Sequence, residues 1–245
     1  MEPDSNAPKL TLDTHALFLD FDGTLAPLQD DPDTVDLPEF GAETLFRLQA
    51  KLAGAIVLIS GRDIRDLSSR TPIELMRAGG HGLEICAPGE APPSFPDPIS
   101  PDILAQVAAI TDLFEGVRIE EKGPVLAIHF RQNPEAETQL VTKLMALAET
   151  IDGYKAQHGK MVIELKPLRA NKGTALRSIM NTETFADRIP VMVGDDVTDE
   201  DAMRTAIELG GYGIKVGPGT TLAEYRFDDP KGVWAWLRSI IDEHT

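Results

Sequence analysis

The chain has 245 residues, 42% of them apolar, which is enough for a substantial core, and its 23 Lys plus Arg stand against 40 Asp plus Glu, a formal charge of −17. Such a balance repels nucleic-acid backbones and anionic membranes, although a few local cations or a divalent metal can invert the potential inside one pocket. The single cysteine, Cys86, excludes an internal disulfide and reads as a buried or half-buried thiol without a redox role. The opening stretch "MEPDSNAPKLTLD" has neither a basic nor an apolar leader region, and no run approaches the roughly 20 apolar residues of a membrane span, so a cytoplasmic protein is expected.

In chain order, the first strand is expected at Ala16 to Asp20 ("ALFLD"), running straight into "DFDGT". Asp20 and Asp22 are one residue apart, so in an extended segment they face the same side, and two like charges that close require a cation or a shared proton. Taken alone, Asp-X-Asp-Gly is equally an ordinary turn closing a strand. A second strand, Ala55 to Ile59 ("AIVLI"), leads into "SGR", and His81 stands in the turn before "GLE". From Cys86 to Pro101 six of sixteen residues are proline, which marks a boundary.

Beyond it the pattern changes. A helix is expected from about Asp102 to Phe114, then two alternating strands in "VRIEEKGPVLAIHFR", a helix from about Glu135 to Glu149, and a strand in "MVIELKP". Strand, strand, helix and strand make an α+β unit inserted between α/β segments. The chain then gives "NKG" at the start of a helix, a strand at Pro190 to Val193, and "GDDVTDE", where Thr198 or Asp199 could cap the next helix. Trp234, Trp236, Leu237 and Ile240 lie along one side of a C-terminal helix and read as packing.

Apolar runs alternating with helical patterns predict an α/β fold with a largely parallel sheet, and ligands of such sheets bind beyond the carboxyl ends of the strands. Three polar clusters at three strand ends could therefore line one crevice. The expected domains are a discontinuous core, residues 1–98 and 168–245, and an inserted α+β cap, residues 99–167. Hinges are expected near Pro88 to Pro101 and near Pro167 to Asn171.

"DFDGT", "LISGR", "NKG" and "GDDVTD" stand in the order of the motifs of the haloacid dehalogenase superfamily of phosphatases, and the chain resembles that superfamily. The stretches "HGLE", "EEKGPVLAIHFRQNP", "IELKP" and "VWAWL" are similar to those of bacterial trehalose-6-phosphate phosphatases, so the likeness runs from about Ala16 to Leu237. It implies a Rossmann-like parallel-sheet core with a cap, and a magnesium-dependent phosphatase acting on trehalose 6-phosphate through an aspartyl-phosphate.

The resemblance implies specific roles. Asp20 is the nucleophile, and Asp22 is general acid toward the sugar oxygen, then general base toward water. Mg2+ binds the Asp20 and Asp195 carboxylates and the Asp22 carbonyl, while Asp196 and Asp199 orient ligands, waters or the lysine from behind. Ser60 and Lys172 grip the phosphoryl oxygens, with Gly23, Thr24, Gly61 and Arg62 as neighbours. In the cap, Glu120, Lys122 and Glu164 match sugar-contacting positions, and Arg131 and His81 are further contacts. On a sheet, such cap residues would otherwise be a solvated face or cross-strand ion pairs. A rival sugar-phosphate phosphatase or mutase would share the core motifs and differ in the cap. A silent sugar-phosphate-binding module would be expected to lack the nucleophile or a metal carboxylate. The sequence does not give the oligomeric state, and a monomer is one reading of it; the expected partner is the small-molecule substrate.

Overall fold

The computed structural model describes residues 8–29, 31–94, 98–159 and 161–242. Residues 1–7, in the opening stretch read as having no leader character, and residues 95–97, inside the expected proline-rich hinge, lie outside the described residues. Two compact units emerge, one of residues 1–92 with 171–245 and one of residues 93–170.

The first unit is built on a seven-stranded sheet. In chain order its elements are β1 (His15–Leu19), α1 (Gly41–Lys51), β2 (Ile56–Ile59), α2 (Ile64–Arg70), β3 (Met76–Gly79) and β4 (Glu84–Cys86). The second unit follows with α3 (Pro101–Thr111), β5 (Arg118–Lys122), β6 (Val125–His129), α4 (Glu137–Thr150), β7 (Tyr154–Gly159) and β8 (Val162–Pro167). The chain returns to the first unit for α5 (Lys172–Met180), β9 (Ile189–Gly194), α6 (Val197–Glu208), β10 (Tyr212–Val216), β11 (Tyr225–Phe227) and α7 (Pro230–Asp242).

The large sheet runs β11-β10-β9-β1-β2-β3-β4, parallel throughout except for the β3–β4 pair. Its central strands are apolar at nearly every position because they are covered on both faces: Ala16 to Leu19, Ile56 to Ile59 and Val191 to Val193 are all fully buried. β1 lies between β2 and β9, so the ends of all three strands are neighbours. The C-terminal helix packs as expected. Trp234 Nε1 donates to the Leu25 carbonyl at 2.7 Å and Trp236 Nε1 to the Pro8 carbonyl at 2.9 Å, so both buried indoles are satisfied.

The second unit is a four-stranded antiparallel sheet, β5-β6-β8-β7, with a core of its own drawn from Leu126, Ile128, Ile163 and Leu165 on the strands and Leu140, Leu144 and Ala148 on α4. One strand more is present than the sequence predicts. β7 reads "YKAQHG", half-buried or exposed along its length, and edge position leaves it too few apolar residues to show an alternation.

Candidate active site

Asp20 leaves β1, Ser60 leaves β2 and Asp195 leaves β9. The ladder continues past the strands, with Asp20 N donating to the Val193 carbonyl at 3.0 Å and Ser60 N to the Ala78 carbonyl at 2.9 Å, so backbone bonds fix where these side chains start. The chain then turns back within residues 21–26, Gly23 N donating to the Ala26 carbonyl at 2.7 Å. Gly23 takes φ 74°, and a Cβ there would lie 2.1 Å from Asp195 Oδ2, so only glycine allows these two loops to approach.

Lys172, the first residue of α5, donates from Nζ to Asp20 Oδ1 and to Asp199 Oδ1, each at 2.6 Å. All three are essentially buried. Burial pulls the ammonium toward neutrality, but the charges of Asp20 and Asp199 outweigh it and hold Lys172 above the ordinary lysine range. Burial and the Asp199 charge push the Asp20 carboxyl well above its usual range, against Lys172.

The helix cap of α6 is Asp196, not Thr198 or Asp199 as the sequence suggests. Its Oδ1 accepts from Thr198 N at 2.7 Å and Asp199 N at 3.2 Å, while Asp199 Oδ2 accepts from the backbone of Asp195 and Asp196 at 3.0 and 3.1 Å. This reciprocal box fixes the loop that carries Asp195 and aims the other Asp199 oxygen at Lys172. Asp196 thereby serves as a scaffold for the loop after β9.

Asp20, Asp195 and Asp199 offer carboxylate oxygens within 4.8 Å of one another. The Lys172 ammonium lies against two of these carboxylates, and at the third, Asp195, burial and the charges of Asp199 and Asp196 outweigh Lys172 and Lys215 and push the carboxyl up to about 7. Oxygen donors in local negative excess fit a hard divalent cation. Asp199 has both oxygens engaged by protein donors, which leaves Asp20 and Asp195 as the better pair of ligands. The Asp22 carboxylate is absent from this group.

Asp22 instead meets Arg62: Nε donates to Oδ2 and Nη2 to Oδ1, both at 2.7 Å. Ser60 Oγ accepts from Arg62 N at 3.1 Å, and His81 N donates to the Ser60 carbonyl at 2.9 Å, which brings the "SGR" turn and the His81 turn together. A Cβ on Gly61 would lie 2.7 Å from His81 Cε1, so the imidazole sits over that glycine. Thr24 is fully buried with a hydroxyl that has no hydrogen-bond partner among the described residues, as suits a donor to a phosphoryl oxygen.

In the second unit, Glu120 pairs with Ala127, Ala127 with Glu164 and Glu164 with Gln157, so both glutamates lie in one row across the sheet. Glu120 Oε2 meets His129 Nε2 at 2.8 Å and Lys122 Nζ at 3.5 Å; Glu164 Oε2 meets the buried Lys166 at 3.3 Å. The partial burial of Glu120 is outweighed by His129 and Lys122, which hold its carboxyl below the usual range. Arg131 is exposed beyond the end of β6.

One site-adjacent residue escapes the motifs. Lys215, buried in β10, donates from Nζ to the carbonyls of Asp195 and Val216 and so ties down the loop after β9. A lysine inside the apolar run "YGIKV" of a strand covered on both faces was the available signal.

The trehalose-phosphatase family profile matches residues 18–231. The chain is 35% identical over 243 residues to the trehalose-6-phosphate phosphatase of Escherichia coli K12, covering 98% of this chain and 91% of that one. It is 39% identical over 218 residues to a probable trehalose-phosphate phosphatase of Sinorhizobium fredii, covering 87% and 82%. Its fold is shared with Aspergillus fumigatus trehalose-6-phosphate phosphatase, at a TM-score of 0.75 and 24% identity over 94% and 93% of the two chains. It is shared as well with a phosphatase of the HAD superfamily from Bacteroides thetaiotaomicron, at a TM-score of 0.66 and 16% identity over 97% and 99%. With the profile spanning most of its length and relatives this similar along nearly the whole of both sequences, the chain belongs to the trehalose-phosphatase family.

Proposed function

We propose that the chain is a cytoplasmic, magnesium-dependent phosphatase that hydrolyses trehalose 6-phosphate to trehalose and phosphate. The observation that carries the chemistry is Lys172 held between Asp20 and Asp199 beside Asp195: a buried, charge-deficient cluster at the end of the central strand. Asp20 Oδ2 attacks phosphorus while Oδ1 keeps its bond to Lys172. The phosphorus–oxygen bond to the sugar breaks, and the departing oxygen takes a proton from Asp22, which carries it on one oxygen while the other keeps its bond to Arg62. Asp22, now a base, takes a proton from water, whose oxygen attacks phosphorus and restores the Asp20 carboxylate. Ser60, Thr24 and Lys172 hydrogen-bond the phosphoryl oxygens, bonds that strengthen as negative charge develops on them. The Asp20 and Asp195 carboxylates and the Asp22 carbonyl would hold magnesium, which would supply positive charge against the phosphoryl group.

The unit of residues 93–170 acts as the cap that reads the sugar, through Glu120, Lys122 and Glu164, with Arg131 and the core's His81 as further contacts. Carboxylates accept and ammonium groups donate, so the two glutamates of the row with Lys122 beside them suit hydroxyls, and a sugar lacking a hydroxyl leaves a charged group unpaired.

Phosphate release from trehalose 6-phosphate, sucrose 6-phosphate, glucose 6-phosphate and mannose 6-phosphate, with magnesium and with a chelator, tests this reading. The expected result is magnesium-dependent turnover confined to the trehalose ester and lost in Asp20→Asn. Equal turnover of another ester overturns the cap assignment; turnover by Asp20→Asn overturns the nucleophile.

A further inference from the structure

Asp20 and Asp22 are one residue apart, yet their carboxylates go to different places. Asp20 joins the oxygens of Asp195 and Asp199, while Asp22 has both oxygens taken by the fork of Arg62 at 2.7 Å. Arg62 is itself braced. Its Nη1 donates to Asp66 Oδ2 at 2.6 Å, and Asp66 Oδ1 accepts from Arg70 Nε at 2.9 Å. Arg70 Nη1 in turn donates to the carbonyls of Val35 at 2.8 Å and Asp33 at 3.1 Å. The guanidinium also lies 5.5 Å from the ring centroid of the fully buried Phe21, between the two aspartates in sequence. A chain of charge-assisted bonds thus runs from residues 33–35 through α2 to Asp22.

We propose that Arg62 is a positioning residue that keeps the Asp22 carboxylate off the metal site, so that two aspartates one residue apart serve as a metal-bound nucleophile and a metal-free acid–base. The inference rests on the proposed function, in which Asp22 moves the proton. A hard divalent ion gains from each further carboxylate, and a side chain two residues from a ligand is within its pull. An Asp22 carboxylate drawn there could not protonate the sugar oxygen. A planar fork opposes that pull by engaging both oxygens at once, which a lysine cannot do, and Asp66 and Arg70 fix the plane of the fork. From its motif Arg62 is expected only as a neighbour of the residues that grip the phosphoryl oxygens.

The two roles separate by leaving group. The value of kcat/KM covers phosphoryl transfer to Asp20, where a sugar oxygen needs a proton and p-nitrophenolate does not. In Arg62→Met, kcat/KM for trehalose 6-phosphate should fall about a hundredfold or more, and for p-nitrophenyl phosphate less than about tenfold. Calorimetric titration of the metal-stripped protein should show Mg2+ binding about threefold tighter or better, because a carboxylate has been added to the site. Arg62→Lys should lie between, and Asp66→Asn, which loosens the brace without approaching the substrate, should shift both readouts the same way by less. Equal losses on both esters with unchanged Mg2+ affinity overturn the proposal and make Arg62 a phosphate ligand. An unchanged ester ratio and unchanged Mg2+ affinity in Asp66→Asn and Arg62→Lys overturn it even where Arg62→Met fails to fold. If the wild type releases no phosphate from trehalose 6-phosphate, the proposed function fails, while the Mg2+ titrations still decide the role of Arg62.

Discussion

Replacing Lys172 by methionine removes the one ammonium that two buried carboxylates share. Its Nζ lies 2.6 Å from an oxygen of each, and Lys172, Asp20 and Asp199 have side chains only 2%, 5% and 0% exposed, so water cannot take its place. Breaking a buried ion pair by deleting one partner costs about 3–5 kcal/mol, because the remaining charge is left uncompensated, and here two remain. The loss must depend on pH. Burial already holds Asp20, Asp199 and Asp195 above the ordinary carboxyl range, and without Lys172 the first two rise further. A native state that binds protons more tightly than the unfolded chain loses stability as pH rises, since the slope follows protons bound unfolded minus protons bound folded. Urea unfolding of the metal-stripped protein, followed by circular dichroism, should therefore show Lys172→Met destabilised by about 3–5 kcal/mol at pH 8 and by less than half of that at pH 5.5. Adding Asp199→Asn should return part of the stability, because a neutral amide replaces one stranded charge. A loss under about 1 kcal/mol, equal at both pH values, would refute the reasoning by showing that the trio is solvated or uncharged.

Gly23→Ala should abolish high-affinity Mg2+ binding, since the new Cβ would lie 2.1 Å from Asp195 Oδ2 at a backbone φ of 74°; a calorimetric Mg2+ affinity equal to wild type would sink the expectation. Binding of Mg2+ must displace the proton that Asp195 holds with a pKa pushed up to about 7, so affinity should weaken about tenfold from pH 8 to pH 6, and a flat profile would mean that Asp195 is not a ligand. Glu164→Ala, in the cap row with Glu120, should raise KM for trehalose 6-phosphate about tenfold or more while changing kcat/KM for p-nitrophenyl phosphate little; equal effects on both would place Glu164 outside sugar recognition. Trp236→Phe, which deletes the bond to the Pro8 carbonyl, should cost about 1 kcal/mol in urea unfolding without altering phosphate release.

The strands that carry Asp20, Ser60 and Asp195 were legible because burial on both faces leaves an unbroken apolar run, and such a run ends where the polar cluster begins. β7 was not, because an edge strand with half its side chains in water needs no apolar pattern, and its pairing with β8 is decided by the backbone. The aspartates of the second cluster were legible as a group but not one by one. Which of Asp195, Asp196 and Asp199 caps, which pairs with Lys172 and which is left as a ligand depends on the direction of each carboxylate at the start of α6, and spacing alone does not encode it. Asp196 took the cap because the residue before the first turn is the one whose side chain can turn back onto the amides.

The pairings that organise the site are the least legible of all. Lys172 reaches Asp20 across 152 positions and Arg62 reaches Asp22 across 40, and no local pattern distinguishes a lysine that will sit between two carboxylates from one that opens a solvated helix. Yet the charge arithmetic constrains the answer. Asp20 and Asp199 share Lys172, Asp22 takes Arg62, which also answers to Asp66, and at Asp195 burial with the charges of Asp199 and Asp196 outweighs Lys172 and Lys215. The shortfall falls on the Asp20 and Asp195 side, where a divalent ion would restore balance, and not on Asp22, whose carboxylate is already matched. On the proposed function, two aspartates next but one to each other thus take different chemistry from which cation each can reach.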